Sequence, residues 1–103
     1  MILASDFDGT IFIDEKISQK DIKAIRDFQQ AGNLFAIVTG RSFASLTPLI
    51  EGEIKPDAVI CNNGSHIFVK YEDGLKEVFK ATISKAKARE FLNFYGKEKN
   101  YYV

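Results

Sequence analysis

Apolar residues in this chain gather into three short unbroken runs, Ile2-Leu3-Ala4, Leu34-Phe35-Ala36-Ile37-Val38 and Ala58-Val59-Ile60-Cys61. Continuous runs of this length are the pattern of parallel strands buried on both faces. Between the first two, Ile22, Ile25 and Phe28 recur at helical spacing and predict an amphipathic helix. Ser18 with Asp21 three positions on marks its start, Ile17 and Ile22 stand at hydrophobic-staple spacing, and Gly32-Asn33 supplies the stop. A second helix is predicted over Phe43–Ile50, with Phe43, Leu46 and Leu49/Ile50 inward. Pro48 weakens it and favours a start one turn later. The resulting β-α-β-α-β order predicts an α/β fold with a partial Rossmann-like parallel sheet and right-handed crossovers.

The texture then changes. His66–Tyr71 and Leu75–Lys80 flank Glu72-Asp73-Gly74, which reads as a β-hairpin with a three-residue turn. Ser84 is a candidate cap for a last helix over Lys85–Tyr95, with Ala88, Phe91, Leu92 and Tyr95 on one side and Gly96 as its stop. Tyr101-Tyr102-Val103 has high strand propensity.

At 103 residues, 46% of them hydrophobic, the chain is long enough for one domain with a real core. Fourteen basic and 14 acidic residues are well mixed and give a net charge of zero, so no electrostatic footprint for nucleic acid or an anionic membrane is present. Cys61 is the single cysteine, which rules out an internal disulfide and suits a reducing compartment. The chain opens directly on a strand with no room for a signal peptide, and no apolar run approaches membrane-spanning length. A soluble cytoplasmic protein is expected.

The candidate chemistry sits where the three strands end. The first runs into Ser5-Asp6-Phe7-Asp8-Gly9-Thr10, the second into Thr39-Gly40-Arg41-Ser42 and the third into Asn62-Asn63-Gly64. Two acids closing a buried strand are costly unless something there needs negative charge. A divalent cation, a covalent phosphoryl acceptor or a proton donor would each use them. The two carboxylates are expected to converge where the chain leaves strand geometry, which Gly9 permits. Ligands of open α/β sheets bind outside the carboxyl ends of the strands, so the three loops should meet. A carboxylate pair for Mg²⁺, a hydroxyl near a helix start for phosphate, and amides for orientation make a phosphoryl-transfer kit.

These motifs resemble those of the haloacid dehalogenase-like (HAD) phosphohydrolases. Asp6-Phe7-Asp8-Gly9-Thr10 matches their DxDGT nucleophile motif, Val38-Thr39-Gly40-Arg41 their second motif, and Cys61-Asn62-Asn63-Gly64 looks like a loop of the Cof-like branch. The resemblance implies that Asp6 is a nucleophile forming an aspartyl-phosphate and that Asp8 is the general acid/base. Thr39 would hold the phosphoryl group, with Gly40, Arg41 and Asn63 as further phosphate or substrate contacts. Mg²⁺ would be bound by the Asp6 carboxylate and the Asp8 backbone carbonyl. The implied substrate is a phosphomonoester of a small metabolite, a sugar phosphate among the candidates. It also implies a division into residues 1–81, the N-terminal half of a core with its hairpin, and 82–103, the beginning of a cap domain. The family's third-motif lysine and fourth-motif acidic pair, which follow the cap, have no counterpart here; Lys97 and Lys99 stand in the wrong context, so the 103 residues alone are expected to turn over substrate poorly or not at all.

Blander readings stand beside these. Asp6 and Asp8 could satisfy amides of a turn, and Asn62 and Asn63 could be plain turn formers. Thr39 and Ser42 could cap the second helix, a role compatible with phosphate binding. Arg41 reads equally as a salt bridge or a substrate contact. His66 reads as an ordinary strand residue without ligand-spaced partners, and Cys61 as a small buried one. Two other functions fit part of the pattern: a non-catalytic phosphate-binding or interaction module, and a phosphoacceptor receiver domain. A receiver should carry an aspartate where Asn62-Asn63 stands and should continue in α/β alternation. The family's sheet order, as the resemblance implies it, places the first strand in the middle, so here it should be an exposed edge; same-handed crossovers put both helices on one sheet face and leave the other bare. Either the chain associates through that edge or face, or it is one piece of a larger protein.

Overall fold

The three apolar runs lie side by side in one sheet of the computed structural model, which describes residues 1–95. In chain order the elements are β1 (Ile2–Asp6), β2 (Phe12–Ile13), β3 (Lys16–Ile17), α1 (Gln19–Gln30), β4 (Leu34–Val38), α2 (Phe43–Ile50), β5 (Ala58–Cys61), β6 (His66–Tyr71), β7 (Gly74–Lys80) and α3 (Lys85–Tyr95). The main sheet runs β1-β4-β5-β6-β7. Its first three strands are parallel, and β6 and β7 add antiparallel to them. This is a mixed α/β fold with a parallel core, and its antiparallel extension departs from receiver-like alternation.

Helix α1 begins where the sequence marks it. The Ser18 hydroxyl accepts the Asp21 N–H at 3.1 Å, and Ile17 and Ile22 are both buried. Gly32, at φ +91°, turns the chain out of the helix. Helix α2 starts at Phe43 without the delay expected from Pro48, because Ser42 caps it through the Ser45 N–H at 3.1 Å.

Both helices cover one sheet face. Ile22 and Ile25 of α1 and Leu46 and Ile50 of α2 share a cluster with Phe35, Ile37, Val59, Cys61 and Phe68 from the strands. Each such side chain removed from water contributes roughly 1.5–3 kcal/mol. Register places Ile2, Leu34, Ala36, Val38, Ala58 and Ile60 on the opposite face, where Ile2 is 68% and Leu34 48% exposed. Among the described residues β1 has a sheet neighbour on one side only, so an interior-type sequence forms an edge there.

Two local features differ from expectation. The segment after Gly9 contains a small β2–β3 hairpin whose turn holds Asp14 and Glu15 at φ 53° and 61°, the paired left-handed conformation of a type I′ turn. The β6–β7 turn is Glu72-Asp73 alone, because Gly74 pairs with Tyr71; its φ of +119° suits a glycine at the strand start.

Ser84 accepts the Lys87 N–H at 3.1 Å and starts α3, where Phe91 and Leu92 are about half exposed. The expected roles of Gly96 and of Tyr101-Tyr102-Val103 lie outside the described residues, as do Lys97, Lys99 and the side chain of Tyr95. Among the described residues no helix is long and apolar enough to cross a membrane.

Candidate active site

Phe7 organises the first loop. Its side chain is fully buried and stacks on Phe12 with ring centroids 4.9 Å apart. Its carbonyl accepts N–H groups from Thr10, Ile11 and Phe12 at 3.2, 3.1 and 2.9 Å, and Gly9 makes the turn at φ +78°. Asp6 and Asp8 flank this anchor and are both exposed. β1 ends at Asp6, so Asp8 lies beyond the strand, and Gly9 then folds the chain back.

The second loop is tied to the third. Thr39, 4% exposed, donates its N–H to the Ile60 carbonyl at 2.9 Å. Its hydroxyl oxygen accepts the Arg41 N–H at 3.0 Å, and a hydroxyl that accepts there keeps its own O–H to donate. Asn63 donates its N–H to the Thr39 carbonyl at 3.2 Å, and Asn62 to the Arg41 carbonyl at 2.9 Å. These bonds need Asn62 and Asn63 at φ 49° and 56°, a region asparagine tolerates better than most residues. They form a single 3-10 turn at Asn62–Gly64. Gly40 lies so close to Asn63 that a Cβ on it would stand 3.1 Å from the Asn63 Oδ1.

Arg41 closes the ring of loops. Its Nε and Nη2 donate to Asp8 Oδ2 and Oδ1 at 2.8 and 2.7 Å, and its Nη1 donates to Ser45 Oγ at 3.0 Å. The hydrogen bonds from Arg41 hold the Asp8 carboxyl below the usual carboxylate range. Of the two open readings for Arg41, the structure shows the salt bridge. The sequence-named residues Asp8, Thr39, Gly40, Arg41 and Asn63 are thus linked by direct contacts, with Asp6 at the end of the same strand.

Two other groups stand apart. Burial raises the Cys61 thiol's pKa, which suits a packing residue. His66 contacts Glu77 at 2.7 Å and lies beside the Phe68 ring.

The donor set bears on the Mg²⁺ expectation. Among the described residues no group of three His, Cys, Asp or Glu side chains could hold a metal. The donors that the resemblance implies, the Asp6 carboxylate and the Asp8 backbone carbonyl, are of the kind that suits Mg²⁺, which is commonly bound through one or two carboxylates with waters and substrate phosphate completing its shell.

Sequence reasoning passed over Asp57, the main polar anchor at the other end of the strands. Its Oδ2 accepts the Phe35 N–H at 2.8 Å and the Gln29 Nε2–H at 3.0 Å, and Lys70 Nζ lies 3.3 Å from Oδ1. The broad hollow beside it, lined in part by Arg26, Asn33 and Lys55, contains none of the motif residues. Asp57 reads as structural.

A family model of haloacid dehalogenase-like hydrolases matches residues 3–103. No curated protein matches the chain. Among solved structures, a phosphatase of the haloalkanoate (HAD) superfamily from Bacteroides thetaiotaomicron is 29% identical with a TM-score of 0.79, and the match covers 95% of this chain and 35% of that one. A haloacid dehalogenase-like hydrolase from B. subtilis is 28% identical with a TM-score of 0.79, covering 95% and 34%. A HAD subclass IIB sugar phosphatase shares the fold at 24% identity and a TM-score of 0.74, covering 94% and 37%. The chain therefore spans about a third of the length of these proteins. With its strand-end motifs brought together on the matching fold, the chain belongs to the haloacid dehalogenase-like hydrolase family.

Proposed function

We propose that the site performs phosphoryl transfer from a phosphomonoester of a small metabolite, a sugar phosphate being one candidate, through a phosphorylated Asp6. The observation that carries this reading is the convergence of three strand-end loops, with Thr39 and Asn63 joined backbone to backbone and Arg41 bridging to Asp8.

Each group has a distinct task. The Asp6 carboxylate, exposed at the end of β1, attacks phosphorus as the bond to the leaving alcohol oxygen breaks. Asp8, as the carboxylic acid, gives its proton to that oxygen. The resulting carboxylate then takes a proton from water as the water attacks the phosphorylated Asp6, which releases phosphate and restores Asp6. The Thr39 hydroxyl and nearby amides bind the phosphoryl oxygens. Mg²⁺, held by the Asp6 carboxylate and the Asp8 carbonyl, would supply charge neutralisation at those oxygens.

The test is covalent trapping with an aryl phosphate and Mg²⁺. The parent chain should acquire a hydroxylamine-labile phosphoryl label, and Asp6→Asn should acquire none. Asp8→Asn should accumulate label, because an aryl leaving group needs little protonation whereas hydrolysis still needs the base. Label persisting in Asp6→Asn would sink the nucleophile assignment. Reversible phosphate binding without label would favour a non-catalytic phosphate-binding module.

A further inference from the structure

Asp8 cannot act as an acid while it is held as the structure shows it. Both carboxylate oxygens accept from Arg41, at 2.7 and 2.8 Å, so a proton on either would meet a guanidinium N–H instead of a leaving oxygen. Arg41, by contrast, is positioned without help from Asp8. Its main chain is fixed on both sides, the N–H on Thr39 Oγ1 at 3.0 Å and the carbonyl on the Asn62 N–H at 2.9 Å. Its Nη1 is bound by Ser45, on the first turn of α2. Its guanidinium carbon lies 6.0 and 5.7 Å from the ring centroids of Phe7 and Phe12, an aromatic shelf that attracts a cation.

The fork formed by Nε and Nη2 matches a phosphate as well as a carboxylate. It also belongs to the residue that follows Thr39 and Gly40, so a phosphoryl group in that loop comes within its reach. We propose that Arg41 is a positioning residue that clamps Asp8 until a phosphoryl oxyanion takes over its fork and frees the carboxylate to face the leaving group. The inference rests on Asp8 being the general acid/base of the proposed reaction. Arg41 would thereby link occupancy of the phosphate loop to release of the acid.

Inorganic phosphate added to the isotopically labelled full chain at constant ionic strength tests the exchange by NMR. The Thr39 and Gly40 amides should shift with phosphate, and the Arg41 Nε–H signal should leave its Asp8-bound position with the same midpoint. Asp8→Asn should tighten phosphate binding severalfold, and the gain should vanish in an Arg41→Gln background. Arg41→Lys, which keeps the charge and loses the fork, should behave like Arg41→Gln in this cycle. Amide shifts at Thr39 and Gly40 with a motionless Arg41 signal would overturn the exchange alone. So would a full Asp8→Asn gain in either Arg41 variant, since that gain would then come from charge repulsion. No shift at Thr39 or Gly40 would overturn the phosphate site together with the exchange.

Discussion

Gly40 and Asn63 meet where a side chain on the glycine would crowd the amide, the Gly40 Cβ position lying 3.1 Å from Asn63 Oδ1. Asn63 is exposed, so its amide can swing a few tenths of an ångström. Gly40 also lies outside the left-handed φ region, since it is absent from the positive-φ glycines. Gly40→Ala should therefore change stability by less than about 1 kcal/mol, crowding being offset by a stiffer unfolded chain. The same substitution should weaken phosphate binding, because the displaced amide borders the phosphate loop. Urea denaturation and phosphate titration of one variant separate the two effects, and a large loss of stability would contradict this account.

Asp57 should matter to folding and not to chemistry. Asp57→Ala strips the Phe35 N–H and the Lys70 ammonium of their side-chain acceptor, while the Gln29 amide keeps its second acceptor, the Lys55 carbonyl. Lost charge-assisted bonds of this kind cost about 1.5–3 kcal/mol each, less where water can replace the partner. Burial pushes the Asp57 carboxyl up, but the bonds from Gln29, Phe35 and Lys70 outweigh it, and the net direction is down. A depressed folded-state pKa gives stability that is present above the unfolded pKa and lost as pH falls through the folded value. Urea midpoints should thus drop in the acid range below about pH 4, and the drop should be shallower in Asp57→Asn.

The core prediction is larger. Leu46 is fully buried between the sheet and α2, so Leu46→Ala should cost about 2–5 kcal/mol through lost burial and a residual cavity. A total stability of only about 5–15 kcal/mol makes that a severe change. Far-UV circular dichroism during urea unfolding checks it.

The elements and the composition of the site were legible because their signals are local. Ser18 and Ser42 stand next to the helices they cap, and the strand-end polar residues follow unbroken apolar runs. What was not legible depends on residues far apart in the chain. The Asp57–Phe35 bond and the Arg41–Asp8 pair cross 22 and 33 positions, so Asp57 gave no local signal and Arg41 stayed divided between two roles. The β2–β3 hairpin was missed for a different reason. Its type I′ turn is made by Asp14 and Glu15 with no glycine, and the usual Asn-Gly signal is absent.

That turn yields its own prediction. A left-handed conformation costs a non-glycine residue roughly 1–2 kcal/mol, whereas glycine adopts it freely at some cost in chain entropy. Glu15→Gly should therefore raise stability by about 0.5–1 kcal/mol, read as a higher urea midpoint with an unchanged slope. A lower midpoint would mean that the Glu15 side chain makes a contact worth more than its backbone strain.

Association of the chain through β1 is the remaining expectation. Ile2, Leu3, Leu34 and Val38 leave apolar surface at the sheet edge and on its bare face, beside a strand whose outer hydrogen-bonding groups have no sheet partner among the described residues. Monomeric proteins generally blunt such edges with charge, proline or a covering element. Here the residues along β1 before Asp6 are uncharged, so nothing in the strand discourages pairing with a second copy. Two copies related by a two-fold axis would pair β1 antiparallel to β1, since that interface is self-complementary. Light scattering should show an apparent mass rising with concentration, and Ile2→Lys with Leu34→Lys should return it to that of one chain. Both positions lie on the face opposite the helices and are exposed, so the charges should leave the helix-covered core intact, and a monomeric parent at high concentration would refute the expectation.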